Sequence, residues 1–381
     1  MDEPSGDLRF LSRVCGPLAP HGINPRVREL HRSLPGYRET ALHECPSLAA
    51  RLGVATVYVK DETLRMGLPA FKVLGASWAA HCALETQAGG LADASAGSEM
   101  LQRGPAPLPY TLVSATDGNH GRALARVARW FGVGAEIFVP HATTPERIGA
   151  VQAEGASVVV VAGSYDDAVA AAEASRTSLR LIVADAGAGR SASDVIEGYS
   201  TIAAEIGDQF SAQESISAVF LQMGVGAFAA SMLRFLPGRG ACAPTTRFIG
   251  VEPRTAACVM ESLERDAPTF ASDPHTSVMV GLNCGEVSAP AWPVLRAGLG
   301  ACLAIDDHYV SEALQLLRRE GVRAGESGAA GLAGALAACD RLDIQRRAEA
   351  GLTADARLLF IVTEGITDAD LTRRLLDDVD R

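Results

Sequence analysis

The sequence is poor in aromatic residues, with 3 Trp, 6 Tyr and 11 Phe among 381 positions. It also lacks a long apolar run, a cluster of basic residues and a closely spaced cysteine pair. Each absence excludes something. Without about 20 consecutive apolar residues, no membrane-spanning helix is expected. The acidic start Met1-Asp2-Glu3 lacks the pattern of a secretory signal, so a cytoplasmic protein is expected. A net charge of -11, with Lys and Arg scattered, argues against a nucleic-acid partner, whose phosphates need a basic footprint. The eight cysteines (15, 45, 82, 242, 258, 284, 302 and 339) show no CxxC pair and no Cys/His spacing that suits zinc. No metal site is therefore expected, and most of these thiols read as small buried hydrophobes.

What is present is a chain that is 48% apolar, rich in glycine, and long enough for two domains with a large core. Residues 1–40 read as an irregular leading segment. A helix is expected at 41–52, a strand at 55–60, a helix opened by Lys72, and a surface loop at 88–107. From 110 onward strands and helices alternate: strands at 110–115, 135–139, 157–161 and 179–184, with helices at 121–131, 144–154 and 165–176 between them. Further apolar strands are expected at 218–223, 248–251 and 358–362. Such repeats imply an α/β fold with parallel sheets and right-handed crossovers. The expectation is two doubly wound open-sheet domains with the active site in the cleft between them. Residues 1–80 and 190–381 would form the large cofactor-binding domain and 81–189 the small one.

In open α/β sheets ligands bind at the carboxyl ends of strands, so the residues after each strand carry the functional signal. Lys72 sits in the run Leu68-Pro69-Ala70-Phe71-Lys72-Val73-Leu74-Gly75, where a desolvated ammonium would become a nucleophile near neutral pH. Alone, it reads more readily as a helix start that snorkels to water, and the stretches Ser114 to Gly121, Gln222 to Ala227 and Thr363 to Asp368 overturn that reading. After Leu221 come Gln222-Met223-Gly224-Val225-Gly226-Ala227, whose glycines let backbone N–H groups close on a phosphate at a helix N-terminus. After Val113 come Ser114-Ala115-Thr116-Asp117-Gly118-Asn119-His120-Gly121, a dense polar turn that also reads as a helix cap. Asp117 is placed there for proton transfer. Asp185 ends the strand at 179–184, and Thr363-Glu364-Gly365 ends the one at 358–362. Gly325-Glu326-Ser327-Gly328 is a further polar glycine turn. A lysine, an anion cradle, two carboxylates and a terminal hydroxyl together suit one cofactor, pyridoxal 5′-phosphate.

Collinear stretches over nearly the whole chain then carry a resemblance. They are Leu34-Pro35-Gly36-Tyr37, Val59-Lys60-Asp61-Glu62, Gly67 to Gly75, Ala115 to Arg122, Gly224 to Ala227, Val251-Glu252-Pro253, Met279 to Glu286, Gly325 to Gly328, and Thr363 to Asp368. The chain resembles the pyridoxal-phosphate enzymes of fold type II, the tryptophan-synthase-β and threonine-dehydratase group, and within them the diaminopropionate ammonia-lyases. The resemblance implies that Lys72 carries the cofactor, Phe71 sits beside its ring, Asn119 bonds the ring hydroxyl, Gly224, Val225, Gly226 and Ala227 cradle the phosphate, and Thr363 faces the pyridine nitrogen. Asp117 would take the α-proton of a D-substrate and Lys72 that of an L-substrate. Asp185 would position or protonate the β-amino group, with Asp194 a possible stand-in. Thr116, His120 and Glu286 are further candidates on the substrate side. The implied activity is α,β-elimination of 2,3-diaminopropionate to pyruvate and ammonia by a homodimer.

The chain departs from the pattern at Pro69, where the family has Asn, and at Tyr37 to Leu42. It departs again at Ile366 and in the stretch Ala186 to Asp194 that follows Asp185. These departures keep an alternative open: a β-eliminase or β-replacing enzyme of the same fold acting on a serine-like, threonine-like or modified diaminopropionate substrate. A non-catalytic cofactor-binding relative is a third reading, against which Lys72 and the complete phosphate loop speak. A nicotinamide dehydrogenase is disfavoured because Gly224-Val225-Gly226 lacks the third glycine of that fingerprint. Cys258 and Cys284 lie near these stretches and could pair.

Overall fold

The computed structural model describes residues 6–16, 18–87, 108–116, 118–187, 189–210, 215–272 and 274–377. The expected loop at 88–107 and Asp117 lie outside the described residues. The chain divides into two compact units. The first comprises Met1–Gly22, Glu39–Leu64 and Ile202–Arg381, and the second Ile23–Arg38 and Arg65–Thr201. Both are α/β.

The first unit is built on a seven-stranded sheet of order β1-β10-β9-β8-β11-β3-β2. Its strands are β1 (Leu8–Ser12), β2 (Leu42–Glu44), β3 (Thr56–Asp61), β8 (Ile216–Gln222), β9 (Cys242–Pro253), β10 (Ala301–Ile305) and β11 (Arg357–Val362). The five central strands are parallel and the two edge strands antiparallel. Burial on both faces explains why β8 and β11 read as unbroken apolar runs rather than alternating ones. Phe220 and Phe360 are partners in the register of β8 and β11, with ring centroids 5.3 Å apart. Such an aromatic pair adds about 0.5–1.5 kcal/mol beyond its buried area. The small-residue helix Ala330–Arg341 lies on this sheet; a Cβ added at Gly334 would stand 2.6 Å from a Val251 methyl, so the glycine admits the helix to the sheet surface.

The second unit carries a four-stranded, wholly parallel sheet of order β6-β5-β4-β7. Its strands are β4 (Thr111–Ala115), β5 (Gly134–Pro140), β6 (Ser157–Val161) and β7 (Arg180–Ile182). Helix α3 (Val73–Gln87) is apolar nearly all round and buried, and meets α7 (Arg190–Gly198) at two glycines. A Cβ at Gly198 would lie 2.7 Å from the Leu74 carbonyl oxygen, a distance real side chains do not tolerate. Residues 23–38, 65–80 and 190–201, which the sequence analysis expected in the large domain, fall in the second unit.

The leading segment is not wholly irregular. Residues 8–12 form β1, and Pro25–Ser33 form helix α1, capped by the Asn24 side chain, which accepts from the Arg26 N–H. The helix expected over 41–52 begins only at Pro46, because 42–44 pair with β3 and proline takes the first helical position. The run Ala301–Ile305, not expected as a strand, is β10, fully buried between β1 and β9. Among the described residues no helix is long and apolar enough to cross a membrane.

Candidate active site

In the second unit the lysine is presented by a tight turn. Arg65 and Leu68 exchange backbone hydrogen bonds of 2.9 and 3.0 Å around Met66 (φ 52°) and Gly67 (φ 76°). Two successive positive φ angles define a type I′ turn, which glycine tolerates and methionine does not favour. Arg126 holds that turn: its Nη1 donates to the Met66 carbonyl at 3.2 Å while Nε and Nη2 grip the Glu154 carboxylate at 2.5 and 2.8 Å. Lys72 follows, one residue before α3. It is not sealed in its apolar run. Its side chain is 24% exposed, and Nζ lies 2.6 Å from Asp185 Oδ2.

Asp185 stands at the carboxyl end of β7. Burial works against its charge, but Lys72 and His120 together hold the carboxyl well below the usual range. His120 belongs to helix α4 (Asn119–Phe131), and its Nδ1 lies 3.9 Å from Asp185 Oδ2. Its Nε2 is 2.9 Å from the Val183 carbonyl, which can only accept, so Nε2 carries a hydrogen. Asn119 starts the same helix and is half-buried. Thr116 is buried and turned to the backbone, its Oγ1 accepting from the Gly118 N–H at 3.2 Å. Its methyl fills the space above Gly121. Phe71 is buried, with the Tyr199 ring 4.5 Å away and Lys72 Nζ 5.7 Å from its centroid.

Asp194, the possible stand-in for Asp185, has Arg190 as an ion-pair partner, Nε to Oδ2 3.8 Å. It lies on α7 where its charge acts on the Cys82 thiol, ten positions along from Lys72 or about 15 Å of helix. Burial pushes its carboxyl up to about 6 against the pull of Arg190. Tyr199, which the sequence reading missed, belongs to the Lys72 group: its hydroxyl is fully buried, and both Lys72 and Asp185 act on it. A signal for it existed. Gly75 carries no side chain because a Cβ there would stand 2.6 Å from the Tyr199 ring.

In the first unit the corresponding residues gather at the carboxyl ends of the adjacent strands β8 and β11. The loop after β8 runs through Gly224, Val225 and Gly226 into helix α9 (Ala227–Phe235). A Cβ at Gly224 would stand 2.8 Å from Cys284 Sγ and 3.2 Å from the Gly281 carbonyl oxygen. One at Gly226, whose φ is 86°, would meet a Leu295 methyl at 2.4 Å. Only glycine fits either position, and the loop leads into a helix start, whose N–H groups and positive dipole end are the chemistry a phosphate requires. Val225 is fixed by the Ser288 N–H donating to its carbonyl at 2.8 Å. Thr363 follows β11, 5% exposed, and its Oγ1 accepts from Gln222 Nε2 at 2.7 Å.

The glycine turn at 325–328 braces this end of the sheet. Ser327 Oγ accepts from the Gly281 N–H at 3.0 Å, and the Ser327 N–H donates to Glu364 at 3.1 Å. Gly325 and Gly328 approach the backbone of Gly365 and Glu364 too closely for any Cβ. Glu286, a substrate-side candidate, is exposed. Cys258 and Cys284 are not joined by a disulfide.

The family these features define is the pyridoxal-phosphate dependent enzymes, to which the chain belongs: residues 33–363 match that family. An anion cradle that no Cβ could occupy, a hydroxyl at a strand end and a lysine against a carboxylate are residues that fit this cofactor. Within it, the chain is 31% identical over 393 aligned positions to the diaminopropionate ammonia-lyase of Escherichia coli K12, covering 97% of this chain and 95% of that one. The crystal structure of the holo form of the E. coli diaminopropionate ammonia-lyase superposes with a TM-score of 0.88 at 28% identity, covering 99% and 98% of the two chains. The same enzyme in complex with an aminoacrylate–pyridoxal-phosphate azomethine reaction intermediate gives a TM-score of 0.85 at 28% identity, with the same coverage. The chain is thus a fold type II enzyme of the diaminopropionate ammonia-lyase family.

Proposed function

We propose that this protein catalyses the α,β-elimination of 2,3-diaminopropionate to pyruvate and ammonia with pyridoxal phosphate as cofactor. The observation that carries the reading is the Lys72–Asp185 pair, a base and an acid 2.6 Å apart at one strand end. When bound, the cofactor supplies the electron sink that makes the α-proton removable. The protein's residues do the rest. Lys72 would hold the cofactor and take the α-proton of the L-substrate, and Asp117 that of the D-substrate. Asp185, ionised at neutral pH, would bind the β-ammonium group and take part in its departure as ammonia. The three-carbon enamine that remains takes up water to give pyruvate and a second ammonia, which balances the atoms. Gly224 to Ala227 would hold the phosphate, Asn119 the ring hydroxyl, Phe71 one side of the ring, and Thr363 the pyridine nitrogen. A cytoplasmic homodimer is the form in which we expect it to act, and light scattering of the purified holoenzyme tests the oligomeric state.

The test is a visible spectrum of the purified protein, then addition of D- and L-2,3-diaminopropionate with pyruvate measured through lactate dehydrogenase. Pyruvate from either enantiomer supports the reading; absorbance without pyruvate rejects the substrate. The second reading, a related β-substituted amino acid, is favoured by the segment after Asp185. There Arg190 is 76% exposed beside Asp194, in a stretch whose sequence departs from the family pattern. Serine, threonine and acylated diaminopropionate in the same assay decide between the two.

A further inference from the structure

Gln222 is the last residue of β8 and is 3% exposed. Its Nε2 lies 2.8 Å from the Ile361 carbonyl, 2.7 Å from Thr363 Oγ1 and 3.4 Å from the Gly328 carbonyl. A primary amide nitrogen has two hydrogens, and the two short contacts use both. Ile361 and Gly328 present carbonyl oxygens, which only accept. The nitrogen, not the oxygen, of the amide must face them, so chemistry assigns the orientation. Thr363 Oγ1 therefore receives a hydrogen from Gln222. Its own hydrogen has to go elsewhere, and among the described residues the Thr363 hydroxyl makes no other hydrogen bond.

We propose that Gln222 is a positioning residue that fixes the Thr363 hydroxyl as a hydrogen-bond donor, so that the pyridine nitrogen it faces is held unprotonated. This rests on the reading that Thr363 faces that nitrogen. A neutral pyridine nitrogen offers one lone pair and accepts the hydroxyl hydrogen, so that the Thr363 hydroxyl both receives and gives a hydrogen bond. A protonated nitrogen could donate only to the second lone pair of Thr363, which would strand the hydroxyl hydrogen in a buried site. The preference for the neutral form is thereby set by the amide behind the hydroxyl, not by the hydroxyl alone. An unprotonated ring withdraws fewer electrons, which favours expulsion of a β-substituent over prolonged storage of the carbanion.

The test uses holoenzyme loaded with pyridoxal phosphate labelled with 15N in the ring. In the wild type the nitrogen resonance should stand at the unprotonated position and stay there across the pH range of stability. In Gln222→Leu, and in the volume-matched Gln222→Met, the Thr363 hydroxyl no longer receives a hydrogen from the amide, so it can accept from a protonated nitrogen as readily as it donates to a neutral one. The resonance should then become pH-dependent, and the cofactor should bind about tenfold more weakly. Thr363→Ser should behave as wild type. Adding Thr363→Val to either Gln222 variant should shift the resonance no further than Thr363→Val alone. A protonated nitrogen in the wild type overturns the proposal. So do Gln222 variants that lower thermal stability yet leave resonance and cofactor affinity unchanged, which would mark a structural role only. If Thr363→Val leaves the resonance where it was, the placing of Thr363 against the ring fails instead. Absence of pyruvate from diaminopropionate with an unprotonated nitrogen rejects the substrate reading alone.

Discussion

Gly75 and Tyr199 are complementary: the glycine leaves the space that the tyrosine ring fills, and an added Cβ would lie 2.6 Å from Cε1 and 2.8 Å from Cζ. Because Tyr199 packs on Phe71, beside Lys72, this fit in the α3–α7 contact also sets the wall next to the lysine. Gly75→Ala should destabilise the protein by about 1–3 kcal/mol through overpacking, more than the gain of alanine over glycine in a helix. Urea denaturation measures it. Tyr199→Leu in the same chain should recover part of the loss, and a Gly75→Ala protein as stable as wild type would refute the fit.

Lys72→Ala should lose the visible absorbance of the bound cofactor, with turnover reduced by about 10³-fold or more, since Lys72 is the amine that meets the Asp185 carboxylate. Absorbance spectroscopy and the pyruvate assay read both effects. Turnover at the wild-type rate would end the proposed chemistry.

Asp185→Asn should lower kcat by about 10²- to 10⁴-fold, as for loss of an acid–base group. The linkage has a definite sign. The folded carboxyl is held below its ordinary value, so its contribution to stability is present above that ordinary value and is lost as pH falls through the lower folded one. Wild type and variant should therefore differ by a constant amount at neutral pH, and the difference should shrink only in strong acid. Melting temperatures across a pH series test this.

Glu252 behaves in the opposite sense. It is fully buried, and its two carboxylate oxygens accept from the Val259 and Met260 N–H groups at 2.8 Å each, at the start of helix Cys258–Arg265. Burial outweighs those bonds and pushes its carboxyl up from 4.5 to about 8. The folded state then holds a proton that the unfolded state releases, so this stability is full below pH 4.5 and drains away as pH rises toward 8. Glu252→Gln should flatten that slope, leaving the variant to gain on wild type with rising pH. A parallel pH dependence in the two proteins would contradict the assignment.

The sequence alone determined the alternation of strands and helices, because β3, β4, β5, β6, β8 and β11 carry their pattern within a few residues and end in polar or glycine turns. It also determined the cofactor class, since the residues around Lys72, Asn119, Gly224 and Thr363 follow strand ends that can be read locally. Elements stabilised by remote partners were invisible: β1 exists because Leu8–Ser12 pair with Ala301–Ile305, almost 300 residues away, and β2 because it pairs with β3. Only the tertiary structure shows what each of the two carboxylates meets. Asp185 meets Lys72 across 113 positions, while Asp194, nine residues on, is carried by a helix toward Cys82. The polarity of the Thr363 hydroxyl was equally out of reach, because a donor and an acceptor look alike in a sequence. Their roles are set by which atom of Gln222, 141 positions earlier, the folded sheet brings against them.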